Sequence, residues 1–246
     1  MRALEQSVLG CDFGGTSWTT QAQADVIPAA LGLKSGTSLL EIGAGSGWPG
    51  LYMASSSGCD ITLLDIPLNT LRHASQRATE ENISHLSNAV AASGAALPFR
   101  DAAFDAIGHS DVLCCLPEKL EMLEECRRVV NAGAKMLFFV IAPASNLTGA
   151  DLKEACEIGP PFVGTPDNYE NLLKASAWKL LRKTELTTEY RNALQRLTNG
   201  LETGREELQA VMGRETFKQN LQYRKDQITA IDRGLLVREM YVAQAV

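Results

Sequence analysis

Long apolar runs are the first thing that the sequence lacks. No segment of the 246 residues approaches the length of a bilayer-spanning helix, and the opening MRALEQSVLGCDFGG carries too short an apolar run for a signal peptide. None of the six cysteines stands in a C-x-x-C pair. We therefore expect reduced thiols that are mostly small core residues, no membrane span and a cytoplasmic location.

Positive charge is scarce as well. The chain has 23 lysines and arginines against 29 acidic residues, which gives a net charge of −6. Non-specific nucleic-acid binding depends on clustered basic residues, so we expect no nucleic-acid partner. The sequence also lacks internal repeats, linkers and low-complexity tracts, which predicts a single domain over residues 1–246.

Strand-type and helix-type segments alternate from residue 38 to about residue 142. TSLLEIG, CDITLLDIP, SNAVAAS, FDAIGHSDVL and KMLFFVIAP have strand character, and helical periodicity separates them. The helix before the fifth strand is predicted to end at Asn131-Ala132-Gly133. Units of about thirty residues predict an α/β fold with an open, mostly parallel, doubly wound sheet and helices on both faces.

The pattern changes beyond residue 142. GTPDNYENLLKASAW is predicted to be helical and KLLRKTELT to be a strand. The closing LLVREMYVAQ alternates as an antiparallel edge strand would. A helical block over residues 188–234 therefore forms an insert between the last two strands.

The stretch LLEIGAGSGWPGL, residues 39–51, is a glycine loop between the first strand and the first helix of the sheet. A dinucleotide fingerprint, G-x-G-x-x-G, fits it poorly. Counted from Gly43, Trp48 takes the place of the third glycine. Counted from Gly45, Pro49 removes an amide that a pyrophosphate would use. We therefore expect NAD(P) not to bind.

The loop resembles E/D-x-G-x-G-x-G, the first motif of class I S-adenosylmethionine-dependent methyltransferases. Spacing supports this, because an acid ends the second strand about twenty residues later, where the family binds the ribose hydroxyls. The next residue, Ile66, usually packs on the adenine. The resemblance thus implies S-adenosylmethionine as cofactor and a set of contacts in this part of the chain: Glu41 (near the cofactor's amino group), Gly43, Ala44, Gly45, Gly47, Asp65 and Ile66.

Two further stretches carry the resemblance, which covers about residues 10 to 142. GAALPFRDAAFDAIGHSDVLCCL is similar to GDAxxLPFxDxxFDxVxxxxxLxHL, and CRRVVNAGAKMLFF is similar to RVLKPGGxLxF. The family's adenine-contacting Asp falls at Ser93, whose hydroxyl can still hydrogen-bond the base, beside Gly94 and Ala95. The pattern points to the small-molecule branch that resembles the ubiquinone and menaquinone biosynthesis enzymes.

The family's histidine in LxHL falls at Cys114 or Cys115. This vicinal pair has three interpretations: a soft-metal or arsenical ligand, the nucleophile of a cytosine-C5 methyltransferase, or packing. The nucleophile motif needs a proline before the cysteine, and Leu113 stands there instead. Packing is favoured, and no metal site is expected.

Three more residues are candidates for the active site. His109, at the end of the fourth strand, is either a core histidine or a pocket residue beside the methyl group that acts as a base. In related enzymes the segment over residues 1–37 covers the cofactor, here with Trp18. Tyr190 opens the helical insert and either packs or contacts the acceptor, as a wall opposite Trp18 under a lid formed by residues 188–234.

The resemblance implies methyl transfer to a small-molecule acceptor through an O, N or C nucleophile, with the core over residues 38–142 binding the cofactor. The reaction is an in-line displacement that depends mainly on proximity and orientation. Two alternatives remain, a catalytically silent cofactor-binding protein and a protein or RNA methyltransferase. The chain is also a candidate for homodimer formation.

Overall fold

The computed structural model describes residues 6, 8–11, 17–165 and 167–246. Parts of the predicted cofactor-covering segment over residues 1–37 therefore lie outside the described residues. Within them, none of the helices combines the length and the apolar character that crossing a membrane requires.

The core over residues 38–142 alternates strands with helices, as the sequence predicts. Two short helices precede it, α1 (Gln21–Ala24) and α2 (Ile27–Leu31). The core itself consists of β1 (Ser38–Ile42), α3 (Gly50–Ser57), β2 (Asp60–Asp65), α4 (Leu68–Glu80), β3 (Ser87–Ala91), β4 (Phe104–Ser110), α5 (Lys119–Arg128) and β5 (Val130–Pro143). The remainder comprises α6 (Gly149–Ile158), α7 (Tyr169–Ala175), β6 (Trp178–Glu185), α8 (Thr187–Thr203), α9 (Arg205–Met212), α10 (Arg214–Asp232) and β7 (Leu236–Ala245).

Seven strands in the described residues form one sheet in the order β3-β2-β1-β4-β5-β7-β6. The pairs among β1 to β5 are parallel, and β7 runs antiparallel to both β5 and β6. The strand order reverses between β1 and β4. In open sheets of this kind, ligands bind at that reversal, outside the carboxyl ends of the strands.

Apolar side chains cover both faces of the sheet, which confirms the doubly wound architecture. One face packs on α2, α3 and α4 around Leu51, Leu63 and Phe139. The other packs on α5, α7 and the insert around Phe138 and Tyr241. Burial on both faces explains why the strands read as continuous apolar runs.

The predicted edge position of the last strand is wrong. β7 pairs with β5 from Lys135↔Gln244 to Pro143↔Leu236 and is largely buried, so it is an interior strand. The edge belongs to β6, whose central residues are exposed. An edge strand tolerates such a polar surface because only one of its sides pairs with a neighbour.

Two helix predictions also need correction. The helix predicted to end at Asn131-Ala132-Gly133 ends at Arg128, and those three residues lie in β5. There the pairing with β4 shifts register and Gly133 takes a φ of +79°, so this glycine serves a strand irregularity. α6, over Gly149–Ile158, was not predicted.

Candidate functional site

The glycine loop follows β1 and bends sharply over the end of the sheet. Gly43, Gly45 and Gly47 have φ values of +68°, +53° and +100°, a region that residues with a side chain rarely occupy. The amides of Gly43 and Ala44 both donate to the Leu64 carbonyl, at 2.8 and 3.1 Å, which ties the loop to β2. The sequence therefore needs glycine here for backbone conformation alone.

Space is a second requirement at this loop. A Cβ on Gly43 would lie 2.4 Å from Val112 Cγ2, and a Cβ on Gly47 would lie 2.6 Å from Leu51 Cδ1. Gly47 thus allows the loop to pack on α3. Gly43 likewise allows the loop to pack on Val112, in the segment after β4.

Asp65 ends β2 and holds the glycine loop. Its Oδ2 accepts a hydrogen bond from the Gly45 amide at 2.7 Å, and its Oδ1 accepts one from the Ile66 amide at 2.7 Å. The side chain is half-buried, and each carboxylate oxygen keeps a further lone pair. The carboxylate is therefore positioned to accept hydrogen bonds from a polar ligand.

A groove of about 620 Å³ runs along this edge of the sheet, and we call it the central groove. This volume lies in the range of small-molecule sites. The ends of four parallel strands and the segments after them contribute to its lining: Ile42, Gly43 and Gly45 from β1 onward, Leu64 to Pro67 and Thr70 from β2 onward, Ala92 to Gly94 after β3, and Ser110 to Val112, Cys115, Leu116, Glu118 and Met122 from β4 onward, with Ser17 and Trp48.

The charge of the central groove is one-sided. Its described lining contains the carboxylates of Asp65, Asp111 and Glu118 and no lysine or arginine, although the buried Arg238 behind the lining pairs with Asp111. Such a surface favours a cationic ligand and disfavours a pyrophosphate, which needs basic side chains or a helix N-terminus with free amides.

The structure divides the predicted cofactor contacts into two groups. Ile66, which is 71% exposed, and Ser93 and Gly94 line the central groove together with Gly43, Gly45 and Asp65. Ala44, Gly47 and Ala95 do not line it. Ala44 is buried in the core, and the Ala95 amide donates to Ser93 Oγ at 3.2 Å.

Glu41 lies behind the glycine loop and is 2% exposed. It faces the start of α3 so closely that a Cβ on Gly50 would lie 1.9 Å from its Oε2. Burial raises the pKa of Glu41 to about 8, against a lowering effect from the Gly50 backbone hydrogen bond, and the nearby Asp65 raises it further. Its Oε2 has no hydrogen-bond partner among the described residues.

His109 does not have the predicted position beside the central groove. It is 2% exposed, its ring stacks on Phe138 with centroids 4.8 Å apart, and neither nitrogen has a partner among the described residues. Burial lowers the pKa of His109 to about 3, so the imidazole is neutral near pH 7. This geometry is that of a core aromatic residue, and it is unsuited to a base that exchanges protons with a ligand.

Tyr190 and Trp18 are in contact, so they are not opposite walls. Their ring centroids are 5.2 Å apart in an edge-to-face arrangement, and the Arg224 guanidinium lies 5.1 Å from the Trp18 ring. Trp18 therefore joins the N-terminal segment to the insert. The Tyr190 hydroxyl is buried and has no partner among the described residues, and burial, with the nearby Asp111, raises the pKa of Tyr190.

Among the residues that line the central groove, sequence reasoning did not place Trp48, Asp111 and Cys115 there. Trp48, read only as an obstacle to a dinucleotide, donates from Nε1 to the Thr19 carbonyl at 2.7 Å and so anchors the N-terminal segment. Asp111 follows β4, and Cys115 is the last residue of the short turn after it. An acid directly after a parallel strand was the available signal for Asp111.

Comparisons with known proteins agree with this arrangement. The family model described as a methyltransferase domain matches residues 40–138. The 27-O-demethylrifamycin SV methyltransferase of Amycolatopsis mediterranei is 26% identical over 63% of this chain, and the match spans only 58% of that relative's length.

Solved structures share the fold at low sequence identity. Phosphoethanolamine N-methyltransferase 2 of Haemonchus contortus has a TM-score of 0.82 at 16% identity, over 99% of this chain and 57% of that one. The [4+2]-cyclase SpnF has a TM-score of 0.74 at 19% identity, over 99% and 92% of the two chains. Over residues 40–138 the chain is thus similar to methyltransferase domains, and its sheet order and glycine loop agree with that similarity.

Proposed function

We propose that this chain binds S-adenosylmethionine in the central groove and transfers its methyl group to a small-molecule acceptor. One observation carries the proposal. At the reversal of strand order, bare glycine backbone and carboxylates line the groove without a basic residue among its described lining. The cofactor carries a sulfonium and an ammonium, so this charge matches it.

Residues of the chain fit the cofactor in particular ways. Gly43 and Gly45 line the groove with backbone against which the methionine end would lie, and the Glu41 carboxyl behind the loop has an oxygen without a partner among the described residues. Asp65 would accept hydrogen bonds from the ribose hydroxyls. Ile66, with its exposed side chain, and Ser93 would contact the base. Trp18 contributes through the N-terminal segment, whose Ser17 lines the groove.

When bound, S-adenosylmethionine supplies a methyl group that its sulfonium already activates. The chain's own contribution is to orient an acceptor against it and to exclude water. Tyr190 is suited to orientation, because its buried hydroxyl lacks a partner and stays protonated at neutral pH. Its hydroxyl would form a hydrogen bond with the methyl-accepting molecule, as donor or as acceptor, without acting as the base. The nucleophilic atom of the acceptor stays open.

The insert over residues 188–234 is proposed as the lid of this site. Its helices α8, α9 and α10 leave the sheet after β6 and return through β7. α8 and α10 meet the N-terminal segment through Tyr190 and Arg224, which both contact Trp18. Opening would separate these aromatic and cation–π contacts, and closing would shield the acceptor from water.

Two alternatives are kept as outcomes of the test. The fold of the [4+2]-cyclase SpnF shows that a similar scaffold carries a different reaction, so a cofactor-binding protein without methyltransferase activity is one of them. A protein or RNA methyltransferase is the other, disfavoured by the net charge of −6. The ubiquinone-like branch, the cytoplasmic location and a homodimer remain predictions from sequence.

The deciding experiment has two steps. Calorimetry should show that S-adenosylhomocysteine binds the protein and that NAD does not; comparable binding of NAD would overturn the assignment of the groove. The protein is then incubated with S-adenosylmethionine labelled in its methyl group and a fractionated lysate. Label in small molecules supports the proposal, label in polymer supports the second alternative, and cofactor binding without any transfer supports the first.

A further inference from the structure

One of the six cysteines differs from the others in position and exposure. Cys115 is exposed and lines the central groove, whereas Cys156 is half-buried on α6 and the remaining four are buried. Cys115 ends a short turn over Leu113–Cys115, where its amide donates to the Val112 carbonyl at 2.8 Å. Its thiol therefore stands in the wall of the groove on a fixed backbone.

The neighbouring Cys114 supports a thiolate at Cys115. Cys114 is fully buried, and its Sγ donates to the Asp111 carbonyl at 3.2 Å. The same proton can turn toward the sulfur of Cys115, and this hydrogen bond is the largest cause that lowers the pKa of the Cys115 thiol. Burial and Asp111 oppose the effect.

Lys119 adds positive charge beside the pair. It is 4% exposed, and its Nζ donates to the Leu116 carbonyl at 2.9 Å and to the Phe162 carbonyl at 2.6 Å. These bonds hold the ammonium near Cys115, where it also lowers the pKa of that thiol. An exposed thiol with a thiol donor and an ammonium beside it is the setting in which cysteines react.

We propose that Cys115 is a modification site for small disulfides and that its modification closes the central groove to its ligand. The thiolate attacks one sulfur of a disulfide RSSR. A new bond forms between Cys115 Sγ and that sulfur, the old sulfur–sulfur bond breaks, and RS⁻ leaves and takes a proton from water. The added group then occupies groove volume. This inference rests on the proposed binding of S-adenosylmethionine in the same groove.

The test uses oxidised glutathione on the full chain, with peptide mass mapping of each cysteine over time. We expect the adduct on Cys115 to form roughly tenfold or more faster than on Cys156, the internal reference. Saturating S-adenosylhomocysteine should slow the Cys115 reaction and leave the Cys156 rate unchanged. The modified protein should bind S-adenosylhomocysteine at least about tenfold more weakly, a loss that a thiol reductant reverses.

Two variants separate chemistry from structure. Cys114→Ala removes the hydrogen-bond donor and should slow the Cys115 reaction several-fold, whereas Cys114→Ser keeps a donor and should restore most of the rate. A mutation of the reference, Cys156→Ala, should leave both the Cys115 rate and the loss of binding unchanged.

The outcomes are distinguishable. Equal rates at Cys115 and Cys156, or a modified protein that binds S-adenosylhomocysteine normally, would overturn this inference while the proposed function stands. If the untreated protein does not bind S-adenosylhomocysteine, the cofactor assignment fails and the closure of the groove fails with it, whatever the rate at Cys115.

Discussion

Arg238 on β7 is fully buried and forms a two-point ion pair with Asp111 at the rim of the central groove. Its Nε donates to Asp111 Oδ1 at 3.0 Å and its Nη2 to Oδ2 at 2.8 Å. The remaining donors reach Gln23 Oε1 at 3.1 Å and Thr19 Oγ1 at 3.2 Å, and the guanidinium lies over Phe139. One side chain thus joins β7, the end of β4 and the N-terminal segment.

Removing either partner of this pair should be costly. Arg238→Met leaves the nearly buried Asp111 carboxylate without its partner and should lower the free energy of unfolding by about 3–5 kcal/mol. Combining it with Asp111→Asn removes that charge, so the double variant should lose less than the sum of the single variants. Denaturant unfolding of all three proteins measures this. Additive losses would mean that the two residues act independently.

Asp65 should contribute to cofactor affinity. Asp65→Ala removes a charged acceptor from the groove and should weaken S-adenosylhomocysteine binding by about 1.5–3 kcal/mol in calorimetry. Asp60→Ala is a matched control, because Asp60 is an exposed acid at the start of the same strand. Unchanged affinity in Asp65→Ala would remove that residue from the site.

The Tyr190 hydroxyl should matter for the acceptor and not for the fold. Tyr190→Phe should lower kcat/KM for the acceptor found by the labelling experiment by about 1–3 kcal/mol, with cofactor affinity unchanged. The buried hydroxyl of Tyr169 also lacks a partner among the described residues, so Tyr169→Phe is the control. Neither variant should lose stability. An equal loss of kcat/KM in both would argue against a specific acceptor contact.

Glu41 should make the ligand-free protein less stable as the pH rises. Its pKa is about 8 in the folded chain, against 4.5 for an unperturbed glutamate. Between these values Glu41 holds a proton in the folded state that it has released in the unfolded state. Its contribution to the free energy of unfolding is therefore complete below pH 4.5 and is lost as the pH rises through 8. The slope reaches about 1.4 kcal/mol per pH unit. Glu41→Gln should flatten the unfolding free energy in this window; parallel curves for the two proteins would contradict the burial argument.

His109 should have the opposite pH dependence. Its pKa falls from 6.5 to about 3 on folding, so its contribution to stability is present above pH 6.5 and is lost as the pH falls toward 3. His109→Phe keeps a ring against Phe138 and should be more resistant to unfolding at pH 5 than the parent protein. If His109→Phe instead bound the cofactor normally and lost all methyl transfer, this result would support the catalytic role that the sequence predicted for His109.

Much of the core was predictable because its signals are local. The buried strands β1, β2 and β4 are apolar runs in the sequence. Gly43, Gly45 and Gly47 indicate a loop with positive φ angles, since only glycine adopts such angles without strain. The position of the acidic residue at the end of β2 can be predicted from the sequence of that strand alone. The family resemblance then added the expected ligand.

The side-chain directions were less predictable. His109 and Asp111 are two residues apart, yet one packs into the aromatic core and the other lines the groove. The strand ends between them at Ser110, and Asp111 takes a φ of +57°, which reorients its side chain. Such a local departure from extended backbone leaves no mark in the hydrophobic pattern.

The sequence by itself determined the order of strands and helices over residues 38–142, the conformation of the glycine loop and the placement of Asp65, because each depends on neighbouring residues in the chain. Only the tertiary structure decided that β7 lies inside the sheet, that Arg238 pairs with Asp111 across 127 positions, and that Cys115 lines the groove while Cys114 is buried. These outcomes depend on which distant segments pack together, and packing is set by the whole core at once.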